Sequence, residues 1–465
     1  MKNSTIAAIA TPVGSGGIGI VKVSGPDALA IAEKIFRKTI PENKSQIEQL
    51  KTSFASHKLH HGYIIDPKNN FTVDEVLLAV MKSPNSYTAE DVIEIQAHSG
   101  SQVLKLILEL VLEHGSKPAG PGEFTKRAFL NGKIDLTQAE AVIDIINARA
   151  EKSLQIATNQ IMGGLKKKIL ELKTNFLDIL TDIETAIDFS EDVDGLFNDN
   201  GLLESFKTNV VFEVENILKS YKDASIIKNG IRISIVGKPN VGKSSLMNRL
   251  IKKEKSIVTN IPGTTRDVIE DTLNIKGIPV VISDMAGLHD TKEPVELIGI
   301  KKAKESIAVS DLIIFMIDLT TGIEKEDINI LREIKDKKTL IAINKTDLFE
   351  PGFVLTTPED FDGFKKTYIS ALHGSGVNAL LNKIVGEVAF EENENMILTN
   401  VRQKNLMEKV LIQSKQILNG FVEKKPFELI SIDVNEAVGL LDEITGETKN
   451  IDILDSIFEK FCIGK

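Results

Sequence analysis

Little sulfur and little aromatic surface mark this sequence: one cysteine, no tryptophan and four tyrosines among 465 residues. A lone thiol cannot form an intrachain disulfide, and one chain cannot build a cysteine-ligated zinc or iron–sulfur centre from it. That usage fits the cytoplasm. The shortage of large rings argues against a stacking platform for single-stranded nucleic acid. Arginine is scarce too, at 8 of the 56 basic residues, and the formal charge of −10 opposes non-specific attraction to nucleic acid. No apolar run reaches the roughly 18 residues of a membrane span. The opening Met1–Ala10 continues into Thr11-Pro12-Val13-Gly14 rather than a processing site. What remains is a folded-protein composition, 42% hydrophobic and 26% charged. The length suggests about three domains.

Four stretches differ in pattern. Residues 1–118 mix strand-like runs (Ile18–Val23, Val76–Met81, Val92–Ala97) with helical ones (Asp27–Phe36, Ser101–His114). Residues 119–224 are helical. Ile161, Leu165, Ile169, Leu172, Phe176, Leu180, Ile183 and Ile187 recur at steps of three and four, which predicts one long helix with a single buried stripe. Leu203, Phe206, Val210, Val214 and Ile217 predict a second helix, and the pair needs a partner to cover its stripe. Residues 225–382 alternate nearly unbroken β-rich runs with helical patterns: Ile231–Val236, Val280–Ser283, Leu312–Ile317 and Thr339–Ile343. Strands covered on both faces read this way, so a parallel-rich sheet with crossover helices is expected. Residues 383–465 turn helical again at Val401–Leu418 and Ile451–Cys462. The economical arrangement is a helical domain interrupted by the α/β domain.

The α/β stretch carries the chemistry. Gly237-Lys238-Pro239-Asn240-Val241-Gly242-Lys243-Ser244 follows an apolar strand and precedes a helix-compatible run from Ser245. That is a phosphate-binding loop in its proper context. Its backbone N–H groups curl around phosphate oxygens and the helix N-terminus adds favourable dipole. Lys243 is placed to reach the β- and γ-phosphates, and Ser244 to ligate Mg²⁺. Asp284-Met285-Ala286-Gly287 closes the next apolar strand, with Asp284 as the acid near Mg²⁺ and the Gly287 N–H for the γ-phosphate. Asn344-Lys345-Thr346-Asp347 ends another strand. The Asp347 carboxylate can accept from guanine N1–H and its 2-amino group, both of which adenine lacks, so the motif selects GTP over ATP. Ser370-Ala371 can offer an N–H to the guanine 6-oxo group. Gly263-Thr264-Thr265-Arg266-Asp267 supplies a threonine for Mg²⁺, and local reasoning leaves Thr264 and Thr265 both open. Hydrolysis needs an oriented water, yet Leu288 follows Gly287 and cannot bond one. Arg266 is either an internal arginine finger or a surface ion-pair partner. Glu296 is either a polar group recruited to the water or a solvated side chain.

The pieces Gly14–Gly19, Pro84–Asp91, Pro121–Lys133, the Gly263–Asp267 switch and the terminal Phe461-Cys462-Ile463-Gly464-Lys465 together closely resemble the MnmE (TrmE) family of tRNA uridine-modification GTPases, over essentially the full length. The resemblance implies an N-terminal α/β domain that dimerises, a discontinuous helical domain and an inserted P-loop G domain with a mostly parallel sheet. It implies formation of 5-carboxymethylaminomethyluridine at the tRNA wobble position. The implied partners are tRNA, a second copy of the chain and the FAD protein MnmG (GidA), as a heterotetramer and with no membrane. The implied cofactors are K⁺, Mg²⁺ and 5-formyltetrahydrofolate or a related folate, with GTP as substrate. Asn240 then matches a potassium ligand, completed by oxygens of the loop Thr259, Asn260, Ile261, Pro262, Gly263 and Thr264. A cation there offsets charge developing between the β- and γ-phosphates. Thr265 matches the Mg²⁺ threonine and Glu296 the glutamate that orients the attacking water. Lys22, Glu90, Lys133 and Lys465 match folate-binding positions. Lys22 stands where arginine is common, leaving a point charge in place of a planar fork. Cys462 matches a cysteine suspected of catalysis. Against this stands a small buried residue on the last helix.

Two departures fall in the switch. Met285 stands where threonine is usual, and His289 where arginine commonly follows the leucine. Rival expectations are a ribosome-assembly GTPase, disfavoured by the net acidity, and a non-enzymatic folate- and GTP-responsive scaffold.

Overall fold

The computed structural model describes every residue except 1–3, 13, 15, 41–53, 149, 189–198, 255–270, 276, 284–305, 351–352, 388–397 and 449–450. The N-terminal part is built on strands β1 (Ile6–Ile9), β2 (Ile18–Ser24), β3 (Phe36–Arg37), β4 (Lys58–Asp66), β5 (Phe71–Met81), β6 (Val92–His98) and β7 (Lys117–Pro118). Their order is β3-β4-β5-β6-β2-β1-β7. Every pairing is antiparallel except β1 with β7. Alternation places Val21, Val23, Ile93 and Ile95 on the face covered by helices Ala28–Ile35 and Ser101–Glu113, whose Ile31, Ile35, Leu104 and Ile107 complete the core. Two features were not legible. β4 opens on Lys58-Leu59-His60-His61, and β5 begins at Phe71, in a half-exposed run, rather than at Val76.

The helical part has one core drawn from both sides of the α/β insertion. Leu165, Phe176 and Ile183 of helix Gly164–Asp188 meet Phe206 and Val214. They also meet Val410 and Ile417 of helix Val401–Val422, and Val434 and Leu441 of helix Phe427–Thr445. The last of these helices was not anticipated. The predicted long stripe begins one turn later than expected: Ile161 closes the preceding helix Glu151–Ile161, and Gly163, at φ +88°, supplies a backbone conformation that L side chains resist. The second stripe is carried by helix Asp199–Phe206, a π-helical turn Lys207–Val211 and helix Phe212–Asn229.

The insertion holds β8 (Ile231–Val236), β9 (Asp271–Ile275), β10 (Ile278–Ser283), β11 (Leu312–Asp318), β12 (Thr339–Asn344) and β13 (Lys365–Tyr368), in the order β13-β12-β11-β8-β10-β9. Only the β9–β10 pairing is antiparallel. β11 is buried along its whole length. Ile314 and Met316 join the apolar cluster on one face of the sheet, and Ile313, Phe315 and Ile317 join that on the other. This is the reason its sequence is an unbroken apolar run.

After helix Ile451–Phe458 the chain turns and lies against the N-terminal part. Pro121 and Ile463 form a β-bridge, and the Phe124 N–H donates to the Lys465 carbonyl at 3.1 Å. Phe458 and Phe461 pack with Phe129 and Leu136. Cys462 therefore lies past the last helix and is exposed, which removes the reading of it as a buried helical residue.

Candidate functional site

Strand β8 delivers its chain directly into the glycine-rich loop, and helix Lys243–Glu254 leaves it. Asn240 takes φ +64° and Gly242 φ +101°. At Gly242 a Cβ would collide with the Asn344 amide nitrogen, so the residue is fixed by space as well as by backbone conformation. Lys243 Nζ donates to the Gly237 and Lys238 carbonyls at 2.8 and 2.7 Å. Burial lowers its pKa from the usual lysine range. An ammonium partly removed from water and bonded, among the described residues, to two carbonyls is suited to a polyphosphate. Ser244 and Ser245 are exposed at the start of the helix, and Val241 is buried beneath the loop.

The base end is tied to the phosphate end through one amide. Asn344 Nδ2 donates to the Val241 carbonyl at 2.7 Å, and Asn344 Oδ1 accepts from the Ala371 N–H at 2.9 Å. Of the two N–H groups expected to face the guanine 6-oxo group, that of Ala371 is engaged by Asn344 and that of Ser370 donates to the Ser375 carbonyl at 2.9 Å. Lys345 sits at φ +68° with Nζ 2.5 Å from Asp318 Oδ2. The Ser370 hydroxyl, foremost, with the charges of His373 and Lys345, holds the Asp347 carboxyl below its usual range, so it stays an anion, the form that accepts two N–H bonds. Asp284, Met285, Ala286, Gly287, Glu296 and the loop Thr259–Thr265, with Arg266, Leu288 and His289, lie outside the described residues.

A second constellation lies on the N-terminal sheet. Lys22 Nζ pairs with Glu94 at 3.3 Å and stands 5.6 and 5.5 Å from the ring centres of Tyr87 and Phe124. The Glu90 carboxylate accepts from Ser24 Oγ at 2.7 Å and lies 3.2 Å from Arg127 Nη1. Arg127 also donates to Glu123 Oε1 at 2.9 Å and to the Ser4 carbonyl at 2.6 Å. Lys133 and Lys465 are exposed. The Lys133 N–H closes helix Glu123–Leu130 on the Ala128 carbonyl, and Lys465 is held by its backbone to Phe124. Arg127 was missed from the sequence although it stands within Pro121–Lys133. Nothing in one sequence separates a buried arginine from a surface one. Among the described residues no helix is long and apolar enough to cross a membrane.

A mostly parallel sheet that presents a phosphate loop at β8 and an Asn-Lys-x-Asp turn two strands away at β12 defines a P-loop GTPase. Family models narrow the class. One described as the MnmE helical domain matches residues 136–462, and one described as the GTP-binding protein TrmE N-terminus matches residues 5–133. The tRNA modification GTPase MnmE of Alkaliphilus oremlandii is 42% identical over 467 residues, covering 100% of this chain and 99% of that protein. Those of Clostridioides difficile and Carboxydothermus hydrogenoformans are each 43% identical over 100% of this chain, with 99% and 100% of the relatives covered. The chain belongs to the MnmE (TrmE) family.

Proposed function

We propose that this protein is a cytoplasmic, potassium-stimulated GTPase. It acts on tRNA as a homodimer together with the FAD protein MnmG (GidA), forming 5-carboxymethylaminomethyluridine at the wobble position from a folate one-carbon unit. The observation that carries the reading is the pairing, in one chain, of a guanine-nucleotide pocket with a separate charged cradle around Lys22 and Glu90, beside which the chain's own C-terminus is docked. The work divides among 1–118 (folate and dimerisation), 119–224 with 383–465 (helical), and 225–382 (nucleotide).

The donor chemistry suits the groups proposed. Ser244 and Thr265 are hard oxygen ligands for Mg²⁺. The Asn240 amide, at its positive φ, with oxygens of Thr259, Ile261 and Thr264, is a neutral set for K⁺. When bound, such cations would supply positive charge against the phosphates. Asn240 to Ser245, Asp284 to Gly287 and Lys243 hold the polyphosphate. Asn344, Lys345, Asp347, Ser370 and Ala371 line the base end, with the Asp347 carboxylate as the acceptor for guanine. Glu296 orients the water that attacks the γ-phosphorus and receives its proton, while the bond to the bridging oxygen breaks and GDP keeps that electron pair. In the cradle, Glu90 would accept N–H bonds from a pterin ring, and Lys22, Lys133 and Lys465 would meet the glutamate tail. Cys462, exposed on the docked tail, is free for a part in the modification.

The test is GTP hydrolysis in potassium against sodium at several protein concentrations. Faster turnover in potassium, rising with concentration and flattened by Asn240→Ala, is expected. Slow turnover alike in both salts refutes the cation mechanism and favours a folate- and GTP-responsive scaffold.

A further inference from the structure

We propose that the acids of the connection leaving β11, Asp318 to Asp327, are positioning residues. They brace both ends of the nucleotide pocket, Asp318 through Lys345 at the base and Glu324 with Asp327 through Lys238 at the phosphates. Lys238 lies inside the phosphate loop, yet its ammonium faces away to helix Lys325–Ile334, which follows β11. It sits 2.5 Å from Glu324 Oε2 and 2.9 Å from Asp327 Oδ2, with Lys238 9% and Asp327 0% exposed. Asp327 is itself fixed, because its Oδ2 also accepts the Glu324 N–H at 2.9 Å. The carbonyl of Lys238 is one of the two that hold Lys243 Nζ, so the tether reaches the phosphate-binding ammonium within one residue. At the other end, Asp318 Oδ1 is held by the Thr320 N–H and hydroxyl at 2.9 and 2.6 Å, leaving Oδ2 to seize Lys345. One connection thus fixes a lysine of each nucleotide loop. Lys238 with Asp327 is shielded from water on both sides, where such a bond holds geometry best, while Glu324 is 57% and Lys345 34% exposed opposite a buried partner.

Release of a fluorescent GDP from the full-length protein tests this, beside steady-state GTP hydrolysis. Lys238→Met is expected to release GDP about tenfold faster and to raise KM for GTP with kcat within about twofold, the scale of one lost charge-assisted bond. Lys238→Arg, which keeps charge and reach, is expected to stay close to the parent, and Asp318→Asn to speed release in the same direction. Lys238→Met also strands the buried Asp327. The pair Lys238→Met with Asp327→Asn removes that charge, so its urea midpoint is expected to recover while GDP release stays fast. Parent-like release from a folded Lys238→Met protein overturns the proposal. So does a double variant that regains both stability and slow release, since Lys238 would then serve the fold alone. If the single variant does not fold, release from the double variant decides in the same way.

Discussion

Replacing Asn344 by alanine isolates the amide that joins the two halves of the nucleotide pocket. The side chain is 3% exposed, and its two bonds end on backbone groups of Val241 and Ala371, residues 1% and 2% exposed. Alanine leaves a carbonyl and an N–H without partners. A buried polar group left unpaired costs about 1–3 kcal/mol, so the pair costs about 2–6 kcal/mol before relaxation. The pocket is open to solvent at the loop, and water entering the vacated space lowers this to about 2–3 kcal/mol. Because both orphaned groups belong to the loops that grip nucleotide, the loss falls on binding. A weakening of GDP affinity by about 30- to 150-fold follows. Titration with a fluorescent GDP, beside thermal unfolding to establish that the variant is folded, measures it. Asn344→Asp sharpens the result. It keeps an acceptor for the Ala371 N–H but sets a carboxylate oxygen against the Val241 carbonyl, and should bind no better than alanine. A folded Asn344→Ala protein that binds GDP within about threefold of the parent refutes the argument that this amide couples the loops.

Glu140 is 4% exposed and accepts from Arg402 at 2.8 and 3.0 Å and from Gln403 at 2.6 Å, joining the two sequence segments of the helical domain. Glu140→Ala strands the Arg402 charge, and urea denaturation should show a loss of about 3 kcal/mol, the low end for a broken buried pair because Arg402 keeps bonds to the Glu443 and Ile444 carbonyls. Guanine binding should be insensitive to mild acid. The Asp347 carboxyl is held below its ordinary range, so the ionised acceptor is fully present above that range and is lost only as the pH falls through the lowered value. GDP affinity is therefore expected to be flat from pH 8 down to about 5, and a fall centred in the ordinary carboxylate range would contradict it.

What could be read ahead of the structure was whatever is local. The phosphate loop, the Asn-Lys-x-Asp turn and the buried strands announce themselves within a few residues, because a tight turn, a dipole-facing helix start and a two-sided strand each restrict the residues at fixed spacing. The stripe Leu165–Ile183 was legible for the same reason, and its false start at Ile161 came from apolar spacing that ran unbroken across Gly163. What escaped was long-range. Lys238 and Glu324 lie 86 positions apart, and Arg402 and Glu140 lie 262 apart. No periodicity joins residues so distant, and a charged side chain in a sequence looks solvated until its partner is known. Arg127 was hidden in this way, as was the departure of Cys462 from the helix that precedes it.

Other long-range contacts hold the chain where it leaves the helical part for the inserted domain and where it rejoins it. Its chain enters after helix Phe212–Asn229 and returns before helix Val401–Val422. Near the exit, Lys228 Nζ donates to Asp144 Oδ2 at 2.7 Å and to the Thr399 carbonyl at 3.3 Å. At the return, the single proton of the Thr399 hydroxyl is shared between the same Asp144 oxygen at 3.3 Å and Gln160 Oε1 at 3.2 Å. Ser153 Oγ adds a bond to the Ile227 carbonyl at 2.6 Å. Both roots of the nucleotide domain are therefore pinned to one neighbouring pair of helices, Leu136–Asn147 and Glu151–Ile161, and one carboxylate, Asp144, serves both. A domain joined by slack linkers would dissipate a rearrangement of its loops as free rotation. One joined at two bonded roots has its end points held against packed helices. The helix Leu136–Asn147 at these roots also packs, through Leu136 and Ala139, with Phe458 and Phe461 of the C-terminal segment, which in turn is bonded to Phe124 beside the cradle.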